Sequence, residues 1–184
     1  MKKLLLIGMT LMMMNSCVKH PEIYNKLTEE EAAAIPYQLG QIVDFLDQNS
    51  ETLTFQVTRD ITYPYNEEQY HNAIYGEVST PSYYYCYART VVLTCVQGSK
   101  QLCFTVLPQK EFIFSFVGFG SDLKLNGYLS PNDTYQIYDT EHIQVHHEIL
   151  YSHYTDELLY DWYYSEELGL LNFKKGDFSI TRIL

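Results

Sequence analysis

The sequence has few basic residues. Of its 184 residues, 12 are Lys or Arg and 23 are Asp or Glu, which gives a formal net charge of −11. An acidic chain repels phosphate and no basic stripe runs along this one, so we expect no nucleic-acid partner. Apolar and aromatic residues make up 46% and 15% of the chain, a content that excludes intrinsic disorder. The length suits a single domain.

Long hydrophobic runs are also missing. The longest apolar stretch covers residues 4–14 and is interrupted by Gly8 and Thr10, whereas a membrane-spanning helix needs about 20 apolar residues. Because Met1 is followed by two lysines, the stretch is typical of the hydrophobic region of a secretory signal. The sequence therefore predicts export and no permanent transmembrane helix at this end.

Residues 14–17, Met-Asn-Ser-Cys, resemble the lipobox of bacterial lipoproteins. The small Ser16 fits that pattern, whereas the asparagine before it departs from the usual Ala or Ser. The resemblance implies that residues 1–16 are a signal peptide, that Cys17 is acylated, and that residues 17–27 are a lipidated tether to the membrane. The alternative is an ordinary signal peptide followed by an incidental cysteine.

The residue after Cys17 bears on which membrane carries the anchor. Val18 stands where an Asp would resemble an inner-membrane retention signal. The following residues, Lys-His-Pro, lack the acidic cluster that would resemble a surface-export signal. The resemblance thus implies a cell-envelope protein, lipid-anchored on the periplasmic side of the outer membrane.

Three further cysteines raise the question of a disulfide, because the cell envelope permits one. Residues 91–107 are predicted to form a hairpin with Gly98-Ser99 as a two-residue turn. This register places Cys103 on the other face from Cys95, so we expect no disulfide in the hairpin. A three-residue loop would instead bring these two cysteines opposite each other. The predicted apolar face is Val91, Leu93 and Cys95 opposite Val106, Phe104 and Leu102, and the remaining cysteine is Cys86.

Sequence periodicity predicts a mostly β fold. Residues 28–31, Thr-Glu-Glu-Glu, form a capping box for a short N-terminal helix that ends before Pro36. About ten short segments of alternating apolar and polar residues follow, without the alternation of strands and helices found in Rossmann-like folds. Residues 28–184 are therefore predicted to be a single antiparallel β domain, either a sandwich or a curved half-barrel.

Two segments interrupt the strand pattern. Residues 59–80 contain Pro64 and Gly76 and are predicted to be a long loop. The dipeptide Asn126-Gly127 is a strong signal for a tight turn. Both segments are thus expected to lie outside the strands.

No catalytic or metal-binding motif is complete in the sequence. His147-Glu148 begins like a zinc-protease motif, but Tyr151 stands where the second His is required. Glu166-Glu167 are adjacent in a predicted turn, whereas glycoside hydrolysis needs two carboxyl groups that face each other across a cleft. We therefore predict no catalytic residues, no metal site and no cofactor, and expect that the protein is not an enzyme.

Tyrosine is in excess, with 18 residues against one Trp. Tyrosines cluster at residues 83–87 and again, with Trp162, at residues 160–164. Alternation places some of them outside the core unless both faces of the strands are covered. Exposed Tyr and Trp suit sugar rings or protein partners, whereas the simpler interpretation is that Tyr favours half-buried strand positions.

Two stretches besides the lipobox carry a resemblance. The first joins Ile-Pro-Tyr at residues 35–37 with residues 40–45 and 53–58, and the second is WYYSEELGLLNF at residues 162–173. They are similar to segments of small, uncharacterised envelope lipoproteins of the gut Bacteroidales type. The resemblance implies an envelope lipoprotein without a catalytic signature.

These observations favour two functions. The first is a non-enzymatic binding or accessory lipoprotein of the envelope, with a glycan or a protein as its partner. The alternative is a periplasmic carrier of an apolar ligand in a cavity of the curved sheet. The carrier requires an open cavity lined by the aromatic face of Phe112, Phe114 and Phe116.

Overall fold

The computed structural model describes residues 25–70, 81–118, 123–138, 141–151 and 158–184. Within them lie one short helix and eleven strands, which confirms the prediction of a mostly β chain. The elements are α1 (Glu29–Ala33), β1 (Ile42–Asp47), β2 (Thr52–Tyr70), β3 (Pro81–Cys95), β4 (Gln101–Val106), a 3₁₀ turn (Pro108–Lys110), β5 (Glu111–Val117), β6 (Leu123–Tyr128), β7 (Asp133–Tyr138), β8 (Glu141–Tyr151), β9 (Leu158–Ser165), β10 (Gly169–Lys175) and β11 (Phe178–Arg182).

The described strands form one antiparallel sheet that curls into a half-barrel. Its order is β6-β5-β4-β3-β2-β1-β11-β10-β9-β8-β7, so the first and last strands pair in its middle. β6 and β7 follow each other in the chain but form the two edges of the sheet. Of the two predicted architectures the half-barrel is confirmed, because a sandwich would need two separate sheets.

Aromatic side chains fill the interior of the half-barrel. The inward positions of β5 are Phe112, Phe114 and Phe116, and each is at most 2% exposed. Phe114 lies 5.5 Å from Trp162 of β9 between ring centroids, and Phe116 lies 4.0 Å from Phe173 of β10. Burial of apolar area and ring pairing therefore hold the two halves of the sheet together.

The segment after α1 enters this core. Ile35 and Tyr37 are each 1% exposed. The Tyr37 hydroxyl accepts a hydrogen bond of 2.7 Å from the Leu170 amide. Gly169, next to it, has a φ of +82°, and a Cβ there would collide with the Tyr37 ring. Only glycine satisfies both the backbone conformation and the close approach.

α1 itself is fixed by its cap and by one arginine. The predicted capping box is present, because Thr28 and Glu31 exchange hydrogen bonds between side chain and backbone. Arg89 of β3 donates to the carbonyls of Ala32, Ile35 and Tyr37 at 2.6 to 3.1 Å. The bond to Ala32 satisfies a carbonyl at the end of the helix, and the other two fix the segment that follows it.

Residues 59–70, predicted to belong to a long loop, are part of β2. β2 and β3 pair as far as Tyr70 and Pro81 and form a long hairpin. In the described residues β1 pairs with β2 only to Gln56, so beyond that point no strand lies on the outer side of β2. The prediction was wrong because Pro64 is compatible with a strand that has no neighbour on its outer side.

The β3–β4 hairpin has a longer turn than predicted. Val91 pairs with Phe104 and Leu93 with Leu102, which displaces the predicted register by two residues. Because the displacement is even, the apolar residues stay on one face and the two cysteines of the hairpin on opposite faces. The free cysteines are Cys86 and Cys95, both buried, and the partly exposed Cys103.

The Asn126-Gly127 dipeptide lies within β6 and does not form the predicted turn. Asn126 pairs with Ile113 and Gly127 with Phe112. A Cβ on Gly127 would lie 3.8 Å from a carboxylate oxygen of Glu148. Pairing with β5 overrides the local turn preference, and the glycine lets β6 approach the opposite wall.

The predicted tether reaches the domain before its expected end at residue 27. The Asn25 amide donates to the Tyr85 carbonyl at 3.2 Å, and the Tyr87 amide donates to the Asn25 carbonyl at 2.8 Å. Leu27 packs against the core. The chain is thus bound to β3 from Asn25 onward.

Candidate functional site

β8 carries polar side chains on both of its faces. Every second residue points towards the interior of the half-barrel, and on this inner face lie Gln144, His146 and Glu148. His147 lies on the outer face, opposite Tyr163 of β9. Inward polar residues are unusual in a β domain that buries one face, and here they lie beside the edge where the half-barrel is open.

A cleft of about 410 Å³ opens at this side of the molecule. Its walls are the linker between β6 and β7 at residues 129–131, the side chains of Gln144 and His146, the end of β9, and Lys110. The cleft exists because the linker crosses from one half of the sheet to the other. The Leu129 amide is bonded to the Lys110 carbonyl on one side, whereas the Asn132 amide is bonded to Val145 on the other.

Lys110 is neutralised by two carboxylates. Its ammonium lies 2.9 Å from Glu166 and 3.2 Å from Glu30 of α1. The hydrogen bond to Glu166 is the main cause of a raised pKa of Lys110, so the side chain stays charged. Glu167 also lines the cleft and is exposed. Carboxylates therefore outnumber ammonium groups at this rim.

His146 and Glu148 connect the cleft to the aromatic interior. Nδ1 of His146 lies 3.2 Å from the Ser130 carbonyl oxygen. The Glu148 carboxylate accepts hydrogen bonds from the Tyr160 hydroxyl at 2.9 Å and from the Trp162 indole at 3.2 Å. Burial, together with the Glu148 charge, raises the pKa of Tyr160 to about 12. Glu148 thus serves as the acceptor for two aromatic donors.

On the outer face, His147 bridges two aspartates. Its Nδ1 lies 2.9 Å from Asp133 of β7, and its Nε2 lies 2.9 Å from Asp161 of β9. The ring stacks on Tyr163 with centroids 4.0 Å apart. Hydrogen bonds from the Thr134 amide and from His147 lower the pKa of Asp133. This cluster ties three strands together near the β7 edge.

The contacts of these groups define their chemistry. Both ring nitrogens of His147 are engaged by carboxylates, and the Glu148 carboxylate is engaged by aromatic donors. Among the residues that the structure describes, no three His, Cys, Asp or Glu side chains are grouped to hold a metal ion. The cleft can therefore offer hydrogen bonds to a ligand through Gln144, His146 and the carboxylates at its rim.

The structure separates the residues that the sequence singled out. Glu166 is paired with Lys110 while Glu167 is exposed, so the two carboxylates do not face each other across a cleft. The face of Phe112, Phe114 and Phe116 is packed against the opposite wall and lines no opening. Cys17 and the side chains of Tyr83, Tyr84 and His142 lie outside the described residues.

The second aromatic cluster divides between the two faces of β9. Trp162 and Tyr164 are buried in the core, whereas Tyr163 is half-buried on the outer face beside His147. Sequence reasoning missed Lys110 and Gln144 as cleft residues. No local signal marks them, because the cleft depends on how β5, β8 and β9 come together.

Among the described residues we find no helix with the length and hydropathy of a transmembrane span. No protein-family model, no curated protein and no solved structure matches this chain. Evidence on function therefore comes from the geometry of the cleft and from the sequence.

Proposed function

We propose that the protein is a non-enzymatic, lipid-anchored binding protein of the bacterial envelope that holds a glycan in the cleft beside β8. The cleft carries this proposal. Its volume of about 410 Å³ falls within the range of small-molecule sites. Its polar lining includes Gln144 and His146, which can exchange hydrogen bonds with hydroxyl groups.

The charge of the cleft favours a neutral ligand. Glu166 and Glu30 already neutralise Lys110, and Glu167 adds an unmatched carboxylate at the rim. An anionic ligand would meet like charge there, and its groups would have to displace existing ion pairs. A neutral, hydroxyl-rich glycan can bind the amide, imidazole and carboxylate groups without that cost.

The proposed lipid anchor rests on the resemblance of residues 14–17 to a lipobox, in which Cys17 is the acylated residue. Eight peptide units separate Cys17 from Asn25, where the chain is bound to β3. A chain of that length spans at most about 28 Å. An acylated Cys17 would therefore keep the cleft-bearing domain within a short distance of the membrane surface.

The carrier alternative has less support from the geometry. Its expected lining is the face of Phe112, Phe114 and Phe116, whose rings are buried against Trp162, Tyr164 and Phe173. An apolar ligand at that face would have to displace these rings. The non-enzymatic part of the proposal is supported by the contacts of His147 and Glu148, because both side chains are occupied by structural hydrogen bonds: His147 with two aspartates, and Glu148 with Tyr160 and Trp162.

An oligosaccharide array tests the binding proposal. Full-length protein, purified from membranes in detergent, is applied to neutral, acidic and amino-sugar glycans. We expect retention on neutral glycans and loss of that retention in Gln144→Ala, because Gln144 is exposed in the cleft and contributes little to the core. Lys174→Ala, an exposed change on β10, is the matched control and should bind like wild type.

Two array results would contradict the proposal. One is the absence of retention on every neutral glycan. The other is retention that Gln144→Ala leaves unchanged, which would place the binding surface elsewhere.

Acylation is tested separately by growing expressing cells with an alkynyl fatty acid. Wild type should incorporate the label, and Cys17→Ser should not. Equal labelling of the two chains would contradict the anchor without bearing on the cleft.

A further inference from the structure

The edge strand β6 presents backbone groups that its own sheet does not use. The Leu129 amide donates to the Lys110 carbonyl at 3.0 Å, which fixes the hydrogen-bonding phase of the β5–β6 ladder. In an antiparallel pair, residues alternate between bonding to the partner and pointing away from it. The outward residues of β6 are therefore Lys124, Asn126 and Tyr128.

These outward groups are available along the whole strand. Among the described residues, no backbone hydrogen bond reaches the amides of Lys124, Asn126 or Tyr128. All three side chains are exposed, and Tyr128 is 61% exposed. The β5–β6 register runs without a shift from Glu111 to Phe116, so the edge is regular.

The other edge, β7, is interrupted. Its ladder with β8 shifts register between Gln136 and Tyr138, and such a bulge breaks the regular row of edge groups. It also begins with the exposed carboxylate of Asp133. Proteins protect edges by bulges and charges. β6 carries one exposed charge, Lys124, but no bulge, so it is the more regular of the two edges.

We propose that β6 pairs antiparallel with β6 of a second copy of this chain, about a twofold axis at Asn126. In this register Asn126 lies opposite itself, and Lys124 lies opposite Tyr128 of the second copy. No charge faces a like charge, and each lysine meets an aromatic ring across the strands. The pairing forms about six backbone hydrogen bonds and joins two half-barrel sheets into one.

β6 contributes no residue to the cleft lining, which begins at Leu129, so the paired strands are not part of the cleft. The dimer is therefore a property separate from glycan binding. It would present two cleft-bearing domains from two lipid anchors, which increases avidity for a repeated ligand.

Cysteine crosslinking in membranes that contain the full-length chain tests the register. Opposed residues in a hydrogen-bonded antiparallel pair have Cα atoms about 5.5 Å apart, within the range of a disulfide. We expect Asn126→Cys to form a disulfide-linked dimer under mild oxidation. Lys124→Cys and Tyr128→Cys should not, because each lies about 14 Å from its own counterpart.

Wild type measures the background from the native thiols, of which Cys86 and Cys95 are buried. Absence of the Asn126→Cys dimer, or equal crosslinking of the three variants, would overturn the proposal.

A proline substitution provides an independent test. Asn126→Pro removes an outward amide that the monomer does not use, and proline is tolerated at such an edge position. We expect native mass spectrometry of the detergent-solubilised protein to show dimer for wild type and Asn126→Ala and monomer for Asn126→Pro. Dimer of unchanged abundance in a folded Asn126→Pro would contradict pairing through β6.

Discussion

The inner faces of β5 and β8 belong to the same curled sheet and have opposite characters. β5 points Phe112, Phe114 and Phe116 inward, and all three are buried. β8 points inward with Gln144, which is exposed, and Glu148, which is partly exposed. β5 faces a complete opposite wall, whereas β8 borders the open side. Inward side chains are apolar where an opposite wall of the sheet covers them and polar where it does not. The cleft forms where that wall ends.

This difference assigns separate roles to the two sides. The closed side supplies apolar burial, which is the main favourable term in folding. On the open side, the polar groups are held by specific contacts, such as the bonds of Glu148 to Tyr160 and Trp162. Mutations on the closed side should therefore mainly lower the free energy of unfolding, whereas mutations on the open side should mainly change specific contacts and ligand binding.

The largest effect is expected on the closed side. Phe114→Ala removes a ring that packs against Phe104, Phe116, Trp162 and Phe173. The free energy of unfolding should fall by about 3–5 kcal/mol, as for other buried Phe to Ala changes. Urea unfolding followed by circular dichroism measures it.

Gln144→Ala is the open-side control for that measurement and should change the free energy of unfolding by less than about 0.5 kcal/mol. Similar losses in the two variants would contradict the view that the closed side contributes most of the stability.

A smaller effect is expected from Glu148→Leu. Leucine removes the acceptor of the Tyr160 hydroxyl and the Trp162 indole. Leaving the buried Trp162 donor without a partner costs about 1–3 kcal/mol, and the added apolar contact offsets part of this. The Tyr160 hydroxyl is partly exposed and can bond to water instead. The same urea titration should show a loss smaller than that of Phe114→Ala. A gain in stability would contradict the prediction, because it would mean that an apolar side chain at this position stabilises the fold more than the hydrogen bonds of Glu148.

The pH dependence of stability at alkaline pH tests the contact between Tyr160 and Glu148 on the open side. Burial and Glu148 raise the pKa of Tyr160 to about 12, above its ordinary value of 10. A raised pKa contributes stability that is fully present below about pH 10 and is lost as pH rises through 12. Tyr160→Phe should therefore lose less stability between pH 9 and pH 11 than wild type.

The control for this titration is Tyr128→Phe, an exposed position on β6. It should follow wild type across the same interval. Identical pH dependence in wild type and Tyr160→Phe would contradict the role of Glu148 and burial at Tyr160.

The smallest effect is expected at acid pH on the outer face. The Thr134 amide and His147 lower the pKa of Asp133, so its contribution to stability is present above the ordinary carboxyl pKa and is lost as pH falls through the lowered value. Asp133→Asn should show a weaker loss of melting temperature between pH 6 and pH 3 than wild type.

Asp177→Asn, in the exposed turn between β10 and β11, serves as its control and should keep the wild-type slope. A wild-type slope in Asp133→Asn would contradict the contact with His147.

The sequence allowed the strands to be predicted where burial is one-sided. The alternation of Phe112, Phe114 and Phe116 predicted both β5 and its inward face, and the capping box predicted α1. The even displacement of the β3–β4 register kept Cys95 and Cys103 on the predicted faces, because a strand repeats every two residues. Local patterns of this kind do not depend on distant partners.

Features that depend on distant partners could not be predicted. Pro64 and Asn126-Gly127 have local turn preferences that strand pairing overrides. The choice between sandwich and half-barrel rests on the pairing of β1 with β11, which are far apart in the chain. His147 bridges aspartates from two other strands, and the cleft requires β8, β9 and Lys110 together, so neither has a signature within a short window.

In the proposed function, the open side of the half-barrel binds ligand while the closed side stays packed. Trp162 is the only tryptophan of the chain, and its ring lies 5.2 Å from His146, which lines the cleft. The decisive measurement is the fluorescence of Trp162 in the full-length protein during titration with the neutral glycan that the array retains most strongly. We expect a saturable change in wild type and in Lys174→Ala and none in Gln144→Ala. A change of equal size in all three proteins, or none in wild type, would contradict it.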